Sequence, residues 1–181
     1  NSRHSGLAVG VPVTVAGLAL AHQNYGSGPL SLAELLRPAI RLAEQGFQVQ
    51  DDLADSLPAA ARRLSRWPST ADILLKNGDQ PLHAGDRLIQ FDLANTLQAI
   101  ADKGPGAFYQ GDIAEKIVAA VRAAGGIMTT GDLKNYKAIE RPVVRGSYRG
   151  YDIVSMPLPS SGGVHLIEML NILEGYDLDK M

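Results

Sequence analysis

Residues 125–163, GGIMTTGDLKNYKAIERPVVRGSYRGYDIVSMPLPSSGG, decide how this chain is read. They open on a helix stop, Gly125-Gly126, because glycine accepts the left-handed backbone that ends helices. Thr129 and Asp132 then stand at capping-box spacing, where a hydroxyl takes a free backbone N–H and a carboxylate reaches back, so a short helical turn is expected. The texture changes after that. Between Ala138 and Met156 the β-branched and aromatic residues gather (Val143, Val144, Tyr148, Tyr151, Ile153 and Val154). Arg149-Gly150 supplies a tight turn between the two runs, which together read as a β-hairpin. Pro157-Leu158-Pro159-Ser160-Ser161-Gly162-Gly163 follows as a rigid stretch leading into a helix. Its expected buried face is Leu166, Ile167, Leu170 and Leu173, and Gly175 ends it.

Upstream, the dominant signal is short helices with start and stop marks. Ser31 with Glu34 forms a capping box, Leu32, Leu36, Ile40 and Ala43 share a face, and Gly46 is the stop. Pro38 inside this segment removes one hydrogen bond, which predicts a kink or a late start. Asp52 with Asp55 opens a second helix reaching about Arg66, with Pro58 near its first turns. Ser69 with Asp72 opens a third, ending near Lys76-Asn77-Gly78. Gly78 to Leu88 reads as a loop broken by Gly78, Pro81 and Gly85. Leu93, Leu97 and Ile100 mark the next helix, stopped by Lys103-Gly104-Pro105. Ile113, Ile117 and Val121 stripe another, with Ala114, Ala120 and Ala124 beside them. No strand-helix-strand unit repeats, and no linker or low-complexity tract is present. The expected fold class is mainly α with a small antiparallel β-hairpin. A single domain is expected over residues 1–181: helical over 1–137, hairpin over 138–156, loop and helix over 157–175.

The bulk numbers exclude several function classes. A chain of 181 residues can bury one sizeable core. Seventeen basic and 19 acidic residues leave a net charge of −2 with no block of one sign. Attraction to nucleic-acid phosphates is therefore not expected. Cysteine is absent, which excludes disulfides, thiolate zinc sites and cysteine nucleophiles. No stretch approaches the roughly 18–20 apolar residues of a membrane helix. The most apolar early run, Leu7 to Ala21, is broken by Pro12, Thr14 and two glycines, and it lacks the basic lead-in of a signal peptide. The chain opens on Asn1 and closes on Asp179-Lys180-Met181, so a cut or processed piece is expected.

Candidate chemistry is sparse. Ser160, Ser161, Gly162 and Gly163 at a helix start are the candidates for substrate contact, since free N–H groups there can hold a carboxylate. The plainer reading is that a serine caps the helix. His165 lies four residues after Ser161, but G-x-S-x-G is absent and spacing assigns no acidic partner, which argues against a serine hydrolase. His4, His22 and His83 are isolated from other metal-ligand residues. Asp51, Asp52 and Asp55 lack the glycine and terminal glutamate of a calcium loop and read as favourable charges at a helix start. No metal site is expected. Gly26-Ser27-Gly28-Pro29 lacks the Lys-Ser/Thr of a phosphate loop. Tyr109, Tyr148 and Tyr151 do not form a basic, base-stacking pattern.

Three segments together say more than any of these. Gly10-Val11-Pro12-Val13-Thr14-Val15-Ala16-Gly17-Leu18 is similar to the Gly-x-Pro-Gly-Thr-Val-Ala-Gly segment of gamma-glutamyltranspeptidases. Gly104-Pro105-Gly106-Ala107-Phe108-Tyr109-Gln110-Gly111-Asp112-Ile113-Ala114 resembles that family's Gly-Pro-x-x-Phe-Tyr-x-Gly-x-Ile-Ala. The third segment runs from Gly125-Gly126 through Thr129, Asp132-Leu133, Tyr136, Arg141-Pro142 and Tyr148-Arg149-Gly150 to Pro159-Ser160-Ser161-Gly162-Gly163. The resemblance covers essentially the whole chain. Val13 departs from the family's Gly, which argues against a tight glycine turn there, and Leu158 interrupts the usual proline run.

The resemblance implies the helical lobe of the large subunit of an N-terminal-nucleophile (αββα) hydrolase. Such a precursor cleaves itself, and the small subunit's new N-terminal threonine attacks a gamma-glutamyl carbonyl with its own amine as base. Glutathione is the implied donor, and water, amino acids or peptides are the acceptors. The implied partner is the small subunit, no cofactor or metal is needed, and the implied location is periplasmic or secreted. No catalytic residue is assigned to this chain: Asn1 carries an amide, and the amines of Thr14, Thr129 and Thr130 are locked in peptide bonds. Cephalosporin acylases and poly-gamma-glutamate-processing enzymes share the architecture and stand as alternatives, beside a non-catalytic helical binding module. Self-association is expected if apolar faces stay uncovered.

Overall fold

The helix starts at Ser31, Thr129 and Ser160 fall where the cap side chain accepts a backbone N–H of the first turn. The computed structural model describes residues 5–180. The chain divides into two compact units, Asn1–Ala138 and Ile139–Met181.

The first unit begins with a 3₁₀ turn, Gly6–Ala8, and a helix α1, Thr14–Tyr25. The sequence carries no helix signal at α1, because Pro12, Thr14 and Gly17 interrupt its apolar run and no stripe marks a face. Next comes α2, Leu32–Gln45, whose capping box between Ser31 and Glu34 is formed in both directions. Ser31 N–H and hydroxyl both reach Glu34 Oε2, at 2.8 and 2.7 Å. These bonds hold the Glu34 carboxyl below its ordinary range. The expected late start does not occur: α2 runs through Pro38. Pro38 is exposed, so water can satisfy the carbonyl its ring leaves unbonded.

A short strand β1, Phe47–Gln48, precedes α3, Asp51–Leu64, and α4, Pro68–Leu74. Both helices begin earlier than the acidic spacings suggest. Gln50 is the N-cap of α3, with Asp51 and Asp52 in its first turn. Pro68 occupies the first turn of α4, where a missing N–H costs nothing.

Strands β2, Leu75–Lys76, β3, Gln80–Pro81, and β4, Arg87–Leu88, occupy a stretch expected to be partly helix end and partly loop. β1 pairs antiparallel with β4, Phe47 opposite Leu88, and β2 with β3, Leu75 opposite Pro81. Two-residue strands have too little alternation to register as a period-2 pattern. They are held by burial of Val49, Leu57, Leu82 and Leu88 in one cluster, with Leu53, Leu64 and Leu74 around it.

Helix α5, Phe91–Lys103, stops at Gly104 with φ +77° and lies against α2. Its buried residues are Ala94 and Ile100, whereas the expected Leu93 is exposed. Helices α6, Gly106–Tyr109, α7, Asp112–Ala123, and α8, Thr130–Asn135, complete the unit. They surround a second core of Tyr109, Ala114, Val121, Met128 and Leu133, the last fully buried.

The second unit is the expected hairpin followed by a helix. β5, Val144–Tyr148, and β6, Tyr151–Ser155, pair from Val144 opposite Ser155 to Tyr148 opposite Tyr151. Arg149 and Gly150 turn the chain with φ +49° and +84°, the positive pair that matches the twist of a tight hairpin. Helix α9, Ser161–Glu174, packs on the strands. Its inner face is Gly163 with half-buried Ile167 and Leu170. Leu166 and Leu173, expected inside, are exposed in this unit. The helix is apolar nearly all round, so within this unit hydrophobicity alone does not select a buried side.

Candidate functional site

The residues Ser160–Gly163 sit at the start of α9. Ser160 is the N-cap, with extended backbone, and its hydroxyl accepts from Gly162 N–H at 3.3 Å. Ser160 N–H in turn bonds Pro157 O at 3.2 Å, tying the cap to the preceding turn, in which Leu158-Pro159 is cis. Ser161 is the first helical residue and is exposed. Gly163 has a steric task. A Cβ there would collide with Met156 O and approach Val144 Cγ2 at 2.9 Å and Ser155 Oγ at 3.0 Å. The two glycines therefore serve different ends: Gly162 donates to the cap, and Gly163 lets α9 close onto β5 and β6.

His165 lies exposed on α9. Among the described residues no hydrogen bond joins it to Ser161, so the nucleophile-base contact that a serine hydrolase requires is not formed. His22 Nε2 lies 2.9 Å from Leu30 O, and His83 N–H donates to Asp86 Oδ2 at 2.7 Å. His4 and Asn1 lie outside the described residues. Asp51, Asp52 and Asp55 are first- and second-turn residues of α3. Among the described residues no three His, Asp or Glu side chains converge as a metal site.

The most developed polar arrangement is one that sequence reading passed over. Tyr109, at the end of α6, is 7% exposed. Its hydroxyl donates to Pro12 O at 2.8 Å and accepts from Ala16 N–H at 3.1 Å. Ala16 is the third residue of α1, and its N–H is one of those a helix start leaves unpaired. Val13, the N-cap residue, makes no side-chain cap bond. The phenol of Tyr109 therefore caps α1 from 93 positions away. Its ring stacks on Tyr136 at 5.8 Å and meets Phe108 edge-on at 5.0 Å. Burial pushes the Tyr109 pKa up, against a smaller lowering by the Ala16 bond. Val13 itself has φ −100° and ψ −22°, a conformation open to any residue, so no glycine turn is required there.

The third motif is stitched in the same way. Thr129 and Asp132 form a full capping box, with Thr129 N–H and hydroxyl each 2.8 Å from Asp132 Oδ2. Those bonds, the hydroxyl first, hold the Asp132 carboxyl below its usual range. Arg122 Nε bonds Met128 O at 2.9 Å, and Gly6 N–H bonds Ala124 O at 2.8 Å. Beside Tyr109, a cavity of about 340 Å³ is lined by α1 residues, Gln110, Lys134, Tyr136 and Lys137. Tyr109, Thr129 and Asp132 of these motifs thus serve as helix caps in the first unit.

The family model described as Gamma-glutamyltranspeptidase matches residues 1–181. The glutathione hydrolase proenzyme of Escherichia coli (strain K12) is 46% identical over 177 residues, 97% of this chain and 30% of that protein. The acylase ACY 1 proenzyme of Pseudomonas sp. (strain V22) is 47% identical over 171 residues, 94% of this chain and 30% of that one. The crystal structure of Helicobacter pylori gamma-glutamyltranspeptidase superposes with a TM-score of 0.92 at 42% identity. It covers 99% of this chain and 51% of the H. pylori chain. The chain spans about 30% of the length of the curated relatives it matches.

Proposed function

The chain belongs to the gamma-glutamyltranspeptidase family, and we propose that it is a scaffold part of an enzyme that hydrolyses or transfers the gamma-glutamyl group of glutathione. The observation that carries this reading is the use of the motif residues. Tyr109 caps α1, Thr129 with Asp132 caps α8, and Ser160 with Gly163 seats α9. Each satisfies a backbone group or allows a close approach, and none of these contacts activates a nucleophile. The nucleophile in this reading is the N-terminal threonine of a small subunit released from the same precursor. The proenzyme names of the relatives support that arrangement. Thr14, Thr129 and Thr130 are internal residues whose amines are held in peptide bonds, so none offers the free amine that would serve as base.

The small subunit is the proposed partner, glutathione the donor, and water, amino acids or peptides the acceptors. The proposed location is periplasmic or secreted. Among the described residues no helix is long and apolar enough to cross a membrane.

A second reading, an acylase of the same family, rests on a specific observation. The acylase ACY 1 relative matches at 47% identity, beside 46% for the glutathione hydrolase. Overall identity over these residues therefore does not separate the two substrate classes.

Two experiments test the scaffold reading. Incubated alone with a gamma-glutamyl anilide, the chain should release no anilide, and measurable turnover would refute it. Substituted for the matching residues of the E. coli glutathione hydrolase proenzyme, the chain should leave self-cleavage and gamma-glutamyl turnover in place. A chimera that matures yet loses turnover, or gains acylase activity, would assign these residues a role in specificity instead.

A further inference from the structure

We propose that Asn77 is a site of spontaneous deamidation and isoaspartate formation, set by the turn it shares with Gly78. Asn77 lies between β2 and β3, exposed to solvent. Asn77 and Gly78 carry φ +54° and +84°, and Asp79 N–H closes the turn on Lys76 O at 3.3 Å. Positive φ at both central residues is the type I′ pattern.

Three features expose this amide to attack by its own backbone. Among the described residues the Gly78 N–H is held by no hydrogen bond, and a side chain built on Gly78 would meet nothing within 4 Å. Types I′ and II′ both close tight hairpins and differ by a flip of the central peptide. Type II′ favours glycine at the first central position, which Asn77 holds, so the flip is a transient, strained excursion from the type I′ turn. That flip carries Gly78 N to the side-chain side of Asn77. The other described asparagines provide the contrast. Asn24, Asn95, Asn135 and Asn171 all lie within helices, in α1, α5, α8 and α9. Their peptide planes are held by the helical ladder, and larger residues follow them: Tyr25, Thr96, Tyr136 and Ile172.

The step balances without any external redox partner. Gly78 N loses its proton and bonds Asn77 Cγ, the Cγ–Nδ2 bond breaks, and ammonia leaves with that proton. Water then adds to one carbonyl of the five-membered imide and opens it to aspartate or isoaspartate. Isoaspartate inserts an extra methylene into the main chain and breaks the geometry of the Asp79–Lys76 bond. It also places a new carboxylate beside Lys76, whose ammonium already pairs with Asp86 at 2.7 Å.

The test is incubation of the folded protein at mildly alkaline pH, followed by peptide mapping and isoaspartyl-methyltransferase labelling. Succinimide and isoaspartate are expected at residue 77, with Asn24, Asn95, Asn135 and Asn171 still amides. Asn77→Gln should lose the methyl label, because a glutamine would have to close a larger ring. An intact Asn77 beside converted helical asparagines would overturn the proposal. Equal conversion at all of them, or undiminished label in Asn77→Gln, would do so too. The map of the unsubstituted protein is decisive whether or not the variant folds.

Discussion

Replacing Tyr109 with Phe removes one oxygen and leaves the rest of the ring in place. The stacking on Tyr136 and the edge contact with Phe108 survive, so the change isolates two hydrogen bonds. The lost bonds are the donation to Pro12 O and the acceptance from Ala16 N–H. Each intramolecular hydrogen bond contributes about 0.5–1.5 kcal/mol net, and a partner left buried and unpaired costs more. Pro12 and Ala16 are half-buried rather than sealed, so water can recover part of the loss. The expected destabilisation is about 1.5–2.5 kcal/mol. In a chain of this size that lowers Tm by roughly 3–10 °C.

The assay is urea unfolding of both proteins, combined with amide hydrogen exchange. Exchange should quicken at Val15, Ala16 and Gly17, at the start of α1, and stay unchanged around Leu57 in the other core. Phenol ionisation supplies an independent check. The Tyr109 pKa is raised in the folded state, so its contribution is whole below the unfolded phenol value of about 10. That contribution is lost as the pH climbs through the folded value, and Tyr109→Phe should remove this alkaline loss. Equal stability with unchanged Ala16 protection would refute the idea that Tyr109 caps α1.

Four further outcomes are expected. Thr129→Ala should destabilise α8 by about 1 kcal/mol, the usual worth of an N-cap, seen as a lower urea midpoint. The depressed Asp132 carboxyl makes its share of stability full above the unfolded carboxylate value near 4 and lost as pH falls through the folded one, and acid titration of folded signal checks this sign. Gly163→Ala should cost about 1–3 kcal/mol by overpacking against Met156 O and Val144, read as lost near-ultraviolet signal and faster exchange in β5 and β6. Met169 and Ile172 are 55% and 58% exposed on α9. The isolated chain should therefore self-associate in sedimentation, and replacing both with Lys should shift it toward monomer.

The expected elements that appear are those whose cause is local. Ser31 with Glu34 and Thr129 with Asp132 satisfy their own helix starts within three residues, so the pattern is visible in one window. Arg149-Gly150 likewise fixes its hairpin by backbone conformation alone. Pro68 was a readable sign of the α4 start that the acidic spacing of Ser69 and Asp72 obscured. Leu93, Leu166 and Leu173 were misplaced for another reason. Periodicity finds an apolar face but not whether anything packs on it: Ala94 and Gly163 are buried there, while Ile167, expected inside, is half-buried. At the candidate site, the cap by Ser160 was legible, whereas the need for Gly163 depends on where Met156 and Val144 arrive.

The sequence by itself determined the helix-rich class, the hairpin at its place, and the family resemblance through three ordered segments. All three follow from interactions or patterns spanning a few neighbouring residues. Only the tertiary structure decided that α1 is a helix beginning at Thr14 and that two of those segments are joined. Val13 supplies no cap, and the oxygen that replaces it belongs to Tyr109, 93 positions on. A hydrogen bond of that range has no periodicity and no local spacing to read. It exists because the core around Leu133 brings α6 against the start of α1.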